Sequence, residues 1–403
     1  MERNGITNKI GIVGGGIMGA GLARAFLAAD LNVSVIEADA ALVERFVQKI
    51  ERVLSKEVET GKLSEEDCHK RLANLRVDTR PAVLEDASLV IEAVSEQAKL
   101  KSWILGELEK VLTPDTVIAT NTSAIPISAL AAGLSNPERF LGTHFFNPAH
   151  VMPLVEVVPG MDTAEPVVGA VMDFLASVGK KPVYVKECPG FLVNRVLGAY
   201  MNEVMWLLEE TAGIMDMESV AGELDLPMGP CTMGDMVGWD IIHAANKTLA
   251  AYYGERFQIP PFLTTLVDKN RLGMKSERGL LDYSKTPPVP TEDLVPVTRN
   301  TDGKGLEAWK DRVLAAIMAE AIRCLDEGVA SPADIDKAMV LGAGFPKGPL
   351  SWADQIGLDK VLDLLDGLSA AMGSRFWPAP ILRVNVLAGF TGKTAGRGLA
   401  GIY

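Results

Sequence analysis

The feature that most restricts the fold is a glycine-rich segment, Gly14 to Gly19, which follows the apolar run 9–13 and opens a helical pattern over 17–29. It fits Gly-x-Gly-x-x-Gly between a strand and a helix. In that context Gly14 permits a tight turn, Gly16 lets the backbone approach a pyrophosphate, and Gly19 lets the helix pack closely on the strand. The N–H groups and dipole of the helix N-terminus favour an anion there. A glycine-rich turn without a ligand is the alternative, but the context favours a dinucleotide site.

Short apolar runs alternate with longer amphipathic ones through residues 9–186. Strand–helix alternation with nearly continuous apolar strands predicts a doubly wound parallel sheet, here an α/β Rossmann-type domain. Helical patterns cover 42–58 and 100–111. The predicted strands are 10–13, 33–36, 89–91 and 117–119, and the runs 140–144, 154–158 and 182–185 could extend the sheet.

The chain after Pro189 is mostly helical in period, and it repeats itself. Three anchors recur in the same order at an offset of 117 to 119 residues: Arg195-Val196-Leu197 at 312–314, Pro227-Met228-Gly229-Pro230 at 346–349, and Arg278-Gly279-Leu280 at 397–399. Such self-similarity indicates an internal duplication. The prediction is therefore a Rossmann-type dinucleotide-binding domain followed by two tandem all-α domains. The boundaries are 1–187 for the sheet domain, 188–285 for helical copy 1, 286–305 for a proline-bearing linker and 306–403 for helical copy 2.

Composition excludes several kinds of partner. The formal net charge of −13 disfavours nucleic acid, because phosphate contacts need a basic face. The four cysteines are widely spaced, without metal-ligand spacing, so we expect reduced thiols and no metal. No apolar run is long enough to cross a membrane, and residues 1–9 lack the apolar core of a signal peptide. These features predict a cytoplasmic protein with no membrane partner.

Glu37 follows the second predicted strand, 18 residues after Gly19. A carboxylate at this point of the motif accepts hydrogen bonds from the ribose hydroxyls and repels a 2′-phosphate. By itself Glu37 is an ordinary loop acid. After this fingerprint it favours NAD over NADP as the cofactor.

His144 is the candidate acid–base group. It ends a predicted strand, and ligands of open parallel sheets bind at strand ends. Histidine is the side chain best matched to proton transfer at neutral pH, although most lone histidines are structural. Glu156 lies inside the apolar run 154–158, where an unpaired carboxylate would be costly. If the intervening segment brings the two strands together, Glu156 can contact the His144 ring and orient it. The polar run 120–123 follows another strand and either contributes to the same crevice or caps a helix.

Six ordered stretches carry a resemblance to a known family: 14–21, 92–101, 121–123, 144–148, 152–157 and 188–195. Over essentially the whole chain they resemble the 3-hydroxyacyl-CoA dehydrogenase family. The similarity is especially close to the dehydrogenase half of bacterial multifunctional fatty-acid-oxidation enzymes, without the hydratase half. Motifs of this length are far more specific than Gly-x-Gly-x-x-Gly.

The resemblance implies a role for each matching residue. His144 would be the general base and Glu156 its partner, while Ser123 and Asn194 would bind the reacting oxygen of an acyl-CoA. The residues implied at the NAD site are Gly14, Gly16, Met18, Gly19, Glu37, Glu96, Lys101, Ser123 and Asn147. Three positions depart from the family pattern: Thr120 replaces the usual Ser, Glu37 the usual Asp, and Trp352 a smaller aromatic. The last leaves the acyl-chain preference open.

The predicted function is NAD-dependent oxidation of (S)-3-hydroxyacyl-CoA to 3-ketoacyl-CoA, and the reverse reduction, as in β-oxidation. One alternative is a dehydrogenase of a free hydroxy acid, such as a sugar acid or a carnitine-like compound. The other is a non-catalytic NAD-binding protein. The resemblance also implies that single-copy members of the family dimerise through the helical domain. The duplication therefore predicts a monomer built as an internal pseudo-dimer, with a homodimer as the alternative.

Overall fold

The computed structural model describes residues 5–291, 293–294, 298–299 and 305–402. They form two compact units, one within residues 1–187 and one within 188–403. Each unit has its own architecture and is described by itself. No helix in the described ranges is long and apolar enough to cross a membrane.

The first unit is built on an eight-stranded sheet in the order β3-β2-β1-β4-β5-β6-β7-β8. The strand order reverses between β1 and β4, so a crevice opens there at the carboxyl ends of the strands. This is the predicted Rossmann-type arrangement. The strands are β1 Lys9–Val13, β2 Asn32–Ile36, β3 Leu75–Asp78, β4 Leu89–Glu92, β5 Val117–Thr120, β6 Phe140–Phe145, β7 Leu154–Pro159 and β8 Lys181–Tyr184.

The sheet differs from an all-parallel one at its far end. Strands β1 to β6 run parallel, whereas β7 pairs antiparallel with β6, and β8 is parallel to β7. Only the short segment 146–153 joins β6 to β7, and an antiparallel pair needs no crossover helix. The edge strand β3 was not predicted, because its sequence Leu-Arg-Val-Asp lacks a continuous apolar run and it is only partly buried.

Six helices cover this sheet. The sequence pattern explains α2, whose apolar face buries Phe46, Ile50 and Leu54 at helical spacing and whose N-terminus is capped by the Asp39 carboxylate. The core on this face joins α1, α2 and α6 to the strands. The helices are α1 Ile17–Ala28, α2 Ala40–Glu59, α3 Glu65–Ala73, α4 Ala98–Glu109, α5 Ile127–Ala131 and α6 Glu165–Ser177.

The second unit is helical and contains the predicted duplication. Corresponding helices follow one another in the same order, and the glycines that separate the third and fourth helices, Gly238 and Gly357, have φ of 104° and 105°. Only glycine adopts this conformation without strain. The first series is α7 Val193–Glu210, α8 Ile214–Glu223, α9 Pro230–Val237, α10 Trp239–Tyr253 and α11 Pro261–Asp268. The second is α12 Gly305–Asp326, α13 Pro332–Ala343, α14 Pro349–Ile356, α15 Leu358–Met372 and α16 Pro380–Leu387.

A short antiparallel pair, β9 Leu281–Asp282 with β10 Val289–Pro290, interrupts the otherwise helical character. It ties the start of the predicted linker back to the first copy. Arg299 also belongs to this linker and donates its backbone N–H to Asp216 of α8. Of the predicted linker, residues 292, 295–297 and 300–304 lie outside the described residues. The boundaries at 285 and 305 stay a prediction.

The two copies are joined by an ion-pair network with approximate two-fold symmetry, whose central carboxylates Glu320 and Glu203 are buried and whose outer carboxylates Glu327 and Glu210 are exposed. The Arg195 guanidinium of α7 donates to Glu320 of α12 over 2.6 Å and also pairs with Glu327. At the equivalent positions, Arg312 of α12 pairs with Glu203 and Glu210 of α7. Arg256 also contacts Glu320 and Glu327. At the equivalent position, Arg375 contacts Glu203 and Glu210.

Candidate active site

The glycine-rich loop joins β1 to α1 at the crevice. Gly14 has φ of +96°, which lets the chain turn sharply, and its N–H donates to Ile36 of β2 over 2.9 Å. A side chain on Gly19 would lie 1.8 Å from the Gly14 carbonyl oxygen, so the helix approaches the loop as closely as only glycine allows. A side chain on Gly16 would instead point into open space. Gly16 therefore leaves the loop backbone accessible from outside.

Glu37 lies immediately beside this loop. One carboxylate oxygen accepts the Gly15 N–H over 2.9 Å, and the other accepts the Ala38 N–H over 3.2 Å. A side chain on Gly15 would collide with Glu37 and Phe46, so this glycine is also required. The need for glycine at position 15 was not predicted, because the motif does not specify that position.

An apolar cavity of about 590 Å³ extends from the loop. Gly14, Gly16 and Glu37 line it, whereas Met18 packs against the sheet core and is not among the lining residues. The lining residues are Val13, Gly14, Gly15, Gly16, Ile36, Glu37, Ala38, Thr79, Pro81, Ala93, Val94, Ser95, Leu100, Trp103, Ile104, Glu107 and Leu108. An open glycine backbone, a fixed carboxylate and apolar walls fit the pyrophosphate, ribose and adenine of a dinucleotide.

His144 and Glu156 face each other across the antiparallel pair β6–β7. They occupy directly opposed register positions, so their side chains are on the same face of the sheet. The His144 Nδ1 atom lies 2.6 Å from a Glu156 carboxylate oxygen, and both residues are buried. The structure therefore makes the contact that the acid inside an apolar strand suggested. Strands β1, β4, β5 and β6 are parallel, so their carboxyl ends lie on the same side of the sheet. His144, near the carboxyl end of β6, is therefore on the same side as the glycine loop that follows β1.

A second polar cluster forms where β4 and β5 end. Lys101, which is 1% exposed, donates from Nζ to both oxygens of Glu92 over 2.8 and 3.0 Å, and lies 3.3 Å from a Glu96 oxygen. Glu96 in turn accepts the Ser123 N–H over 2.9 Å. Burial alone would raise the pKa of Glu96, but the Thr122 hydroxyl, the Lys101 ammonium and the Ser123 N–H together lower it.

Glu92 is a site residue that the sequence analysis did not single out. It is fully buried at the end of β4 and also accepts the Thr120 hydroxyl over 2.6 Å and the Val94 N–H over 2.7 Å. Its signal was an acid at the end of an apolar strand, which is similar to the acid inside an apolar strand that identified Glu156. Thr120 keeps the hydroxyl of the usual Ser, so this departure from the family pattern preserves the hydrogen bond.

The remaining residues predicted for the cofactor and substrate sites lie outside the apolar cavity. Glu96, Lys101 and Ser123 form the cluster just described and do not line the apolar cavity. Asn147 is exposed and precedes a cis peptide bond to Pro148. Asn194 lies in the first turn of α7, in the helical unit. Within the described residues, no group of acids, histidines and cysteines has the arrangement of a metal site.

A strand–glycine–helix loop, a carboxylate beside it and a buried His–Glu pair at one sheet edge define a nicotinamide-dependent dehydrogenase. The family model of the 3-hydroxyacyl-CoA dehydrogenase NAD-binding domain matches residues 9–188, and that of the C-terminal domain matches 190–283 and 310–401. The chain belongs to the 3-hydroxyacyl-CoA dehydrogenase family. It is an NAD-dependent oxidoreductase whose C-terminal family domain occurs twice.

Relatives agree with this assignment. The chain is 33% identical to the fatty acid oxidation complex subunit alpha of Shewanella amazonensis over 95% of its own length but 56% of the relative's. It thus spans little more than half of that protein. The crystal structure of 3-hydroxybutyryl-CoA dehydrogenase from Escherichia coli K12 superposes with a TM-score of 0.87 at 30% identity, covering 94% of this chain and 98% of the other. The (S)-3-hydroxybutyryl-CoA dehydrogenase of Ralstonia eutropha is 34% identical, with a TM-score of 0.67 over 69% of this chain and 99% of its own.

The loop geometry leads to a first testable prediction. Gly19→Ala is expected to weaken NADH binding by about tenfold or more, because the new methyl group would collide with the Gly14 carbonyl and displace the loop. Isothermal titration with NADH measures the effect, and thermal unfolding shows whether the variant is folded. Gly169→Ala in α6, where a side chain would meet open space, is the matched control and should bind NADH normally. Normal NADH affinity in Gly19→Ala would contradict the close approach of α1 to the loop.

Proposed function

We propose that this chain interconverts (S)-3-hydroxyacyl-CoA and 3-ketoacyl-CoA with NAD, and that His144 is the general acid–base group. The observation that carries the proposal is the buried 2.6 Å contact between His144 Nδ1 and Glu156. Membership of the family supports the substrate class.

In this proposal the two ring nitrogens of His144 have different tasks. An ionised Glu156 can only accept a hydrogen bond, so Nδ1 carries the proton and Nε2 is the basic atom. In the oxidation, Nε2 takes the proton of the 3-hydroxyl as the carbonyl forms. In the reduction, the same atom returns a proton to the developing alkoxide. The Glu156 carboxylate holds the ring in this tautomer. It also stabilises the imidazolium that forms when Nε2 takes the hydroxyl proton.

Ser123 and Asn194 are proposed to hydrogen-bond the reacting oxygen of the substrate. Ser123 is anchored through its backbone N–H to Glu96, whose lowered pKa keeps the carboxylate ionised and able to accept. Asn194 lies in the first turn of α7, next to Arg195, whose guanidinium forms a buried ion pair with Glu320.

The cofactor, when bound, supplies the hydride acceptor or donor. The residues proposed to hold it include the loop glycines and the Glu37 carboxylate, whose two anchoring N–H groups orient it toward ribose hydroxyls. The full proposed set is Gly14, Gly16, Met18, Gly19, Glu37, Glu96, Lys101, Ser123 and Asn147. Glu37 also disfavours a 2′-phosphate, so NAD is preferred to NADP.

Two further properties are part of the proposal. The resemblance implies that single-copy relatives dimerise through the helical domain, and the ion pairs between the two helical copies join the corresponding domains within one chain, so we propose a monomer organised as a pseudo-dimer. The site of action proposed is the cytoplasm.

The test is a reduction assay with acetoacetyl-CoA and NADH, followed by the loss of absorbance of the reduced cofactor. We expect turnover with the CoA ester and NADH, and much slower turnover with NADPH or with free acetoacetate. Activity on a free hydroxy acid with none on short or long CoA esters would replace this proposal by the free-acid alternative. NADH binding without turnover on either class would favour a non-catalytic NAD-binding protein.

A further inference from the structure

Helix α4 presents one apolar stripe to the cavity beside the glycine loop. Leu100, Trp103, Ile104, Glu107 and Leu108 line the cavity, at the spacing that places residues on one face of a helix. None of them belongs to the Gly-x-Gly-x-x-Gly motif or to the residues assigned above. Trp103 differs from its neighbours, because it lines the cavity while 63% of its surface is exposed.

The position of Glu37 determines which part of NAD meets this stripe. Pyrophosphate at the glycine loop and ribose at Glu37 leave the adenine ring to occupy the cavity beyond the carboxylate. Ala38 and Pro81 line the same cavity, and they follow the ends of β2 and β3. With the α4 stripe they provide the apolar surfaces that a flat purine ring requires.

The charges in the cavity support the same orientation. Its lining residues include the carboxylates Glu37 and Glu107 and no lysine or arginine. The α4 side of the cavity, which carries Glu107 and lies apart from the glycine loop in sequence, does not favour a phosphate, whereas an uncharged purine ring is accommodated there. Covering an exposed indole with an aromatic ring also lowers the free energy of the complex, because apolar area is removed from water and the two π-systems stack.

We infer that Trp103 is the residue that stacks on the adenine ring of NAD and sets the affinity for the adenosine half of the cofactor. This inference rests on NAD binding and not on the substrate proposed above. It therefore survives if the enzyme acts on a free hydroxy acid, and it can fail while the proposed reaction stands.

The experiment compares cofactors with and without the adenosine half. Trp103→Ala is expected to raise the Kd of NADH and of ADP-ribose about 5- to 100-fold by isothermal titration, the range measured for loss of base–aromatic stacking. Trp103→Phe keeps an aromatic surface and should recover most of the affinity. The Kd of reduced nicotinamide mononucleotide, which lacks adenosine, should change less than about twofold in Trp103→Ala when it is measured by the same titration.

A spectroscopic arm distinguishes stacking from an indirect effect. Trp103 is the only tryptophan in residues 1–187, so its emission reports on this unit. ADP-ribose should alter tryptophan emission in the wild-type protein and leave it unaltered in Trp103→Phe. The matched control is Trp377→Ala, which removes an equally exposed tryptophan, 61% accessible, from the helical unit. Its NADH affinity should be normal.

Two outcomes would overturn the inference. The first is an NADH Kd within twofold of wild type in Trp103→Ala. The second is an equal loss of affinity for NADH and for reduced nicotinamide mononucleotide in Trp103→Ala, which would show that the substitution disturbs the whole site. Trp103 is largely exposed, so the variants should fold, and unchanged thermal unfolding would establish this.

Discussion

Replacement of His144 by glutamine is expected to lower kcat by about 10²- to 10⁴-fold, in both directions of the reaction, while the Kd of NADH stays within about twofold. Glutamine fills a similar volume beside Glu156 and can still hydrogen-bond, but it cannot exchange a proton near neutral pH. Steady-state kinetics with acetoacetyl-CoA gives kcat, and titration with NADH gives the Kd. The proposed acid–base role predicts that kcat falls while the Kd of NADH is nearly unchanged.

The control for this prediction is His69→Gln. His69 is exposed on α3, so its replacement should leave kcat unchanged. Glu156→Gln tests the partner: it keeps the shape but removes the charge that fixes the His144 tautomer, so kcat should fall without loss of NADH binding. Near-normal kcat in His144→Gln would eliminate this histidine as the acid–base group, whatever substrate the enzyme uses.

Loss of the Glu320 carboxylate is expected to have the largest effect on stability. Glu320→Ala should lower the free energy of unfolding of the helical unit by about 3–5 kcal/mol, because it leaves buried guanidinium groups without their main counter-ion. Arg195 and Glu320 are both fully buried, and Arg323 also donates to Glu320 over 2.9 Å. Urea unfolding followed by circular dichroism measures the change.

Asp366→Ala is the matched control for Glu320→Ala. Asp366 forms an ion pair with Arg383 in the same unit, but both side chains are about two-fifths exposed. Such surface pairs contribute about 0–1 kcal/mol. A loss in Glu320→Ala no larger than that in Asp366→Ala would show that the buried network does not stabilise the contact between the copies.

The Glu320 network also predicts a pH dependence. Burial would raise the pKa of Glu320, but Arg195, Arg323 and Arg256 hold it below its ordinary value of 4.5. A lowered pKa in the folded state stabilises the protein above about pH 4.5 and ceases to do so as the pH falls through the folded value. The difference in stability between wild type and Glu320→Gln should therefore shrink below that pH. Glu203, at the equivalent position, faces two arginines, and burial there raises the pKa, so its contribution has the opposite sign.

The sequence determined most of the geometry of the glycine loop. Gly14 and Gly19 could be assigned their tasks from spacing alone, because a positive φ and a contact without a side chain are properties that only glycine supplies. Glu156 could also be found, since a carboxylate inside an apolar strand must have a partner. The same argument applied to Glu92 would have revealed its buried pair with Lys101.

Other features depended on which segments meet in space. The sequence run 154–158 predicted a strand but not its direction, and the antiparallel register with β6 is what brings Glu156 to His144. The Gly15–Glu37 hydrogen bond and the position of Trp103 on the cavity wall depend on contacts between segments more than 20 residues apart. Periodicity identifies what an element buries, because that is a local property of the chain. Strand direction, pairing and the partners of buried charges are set by the packing of the whole unit, and only the tertiary structure decides them.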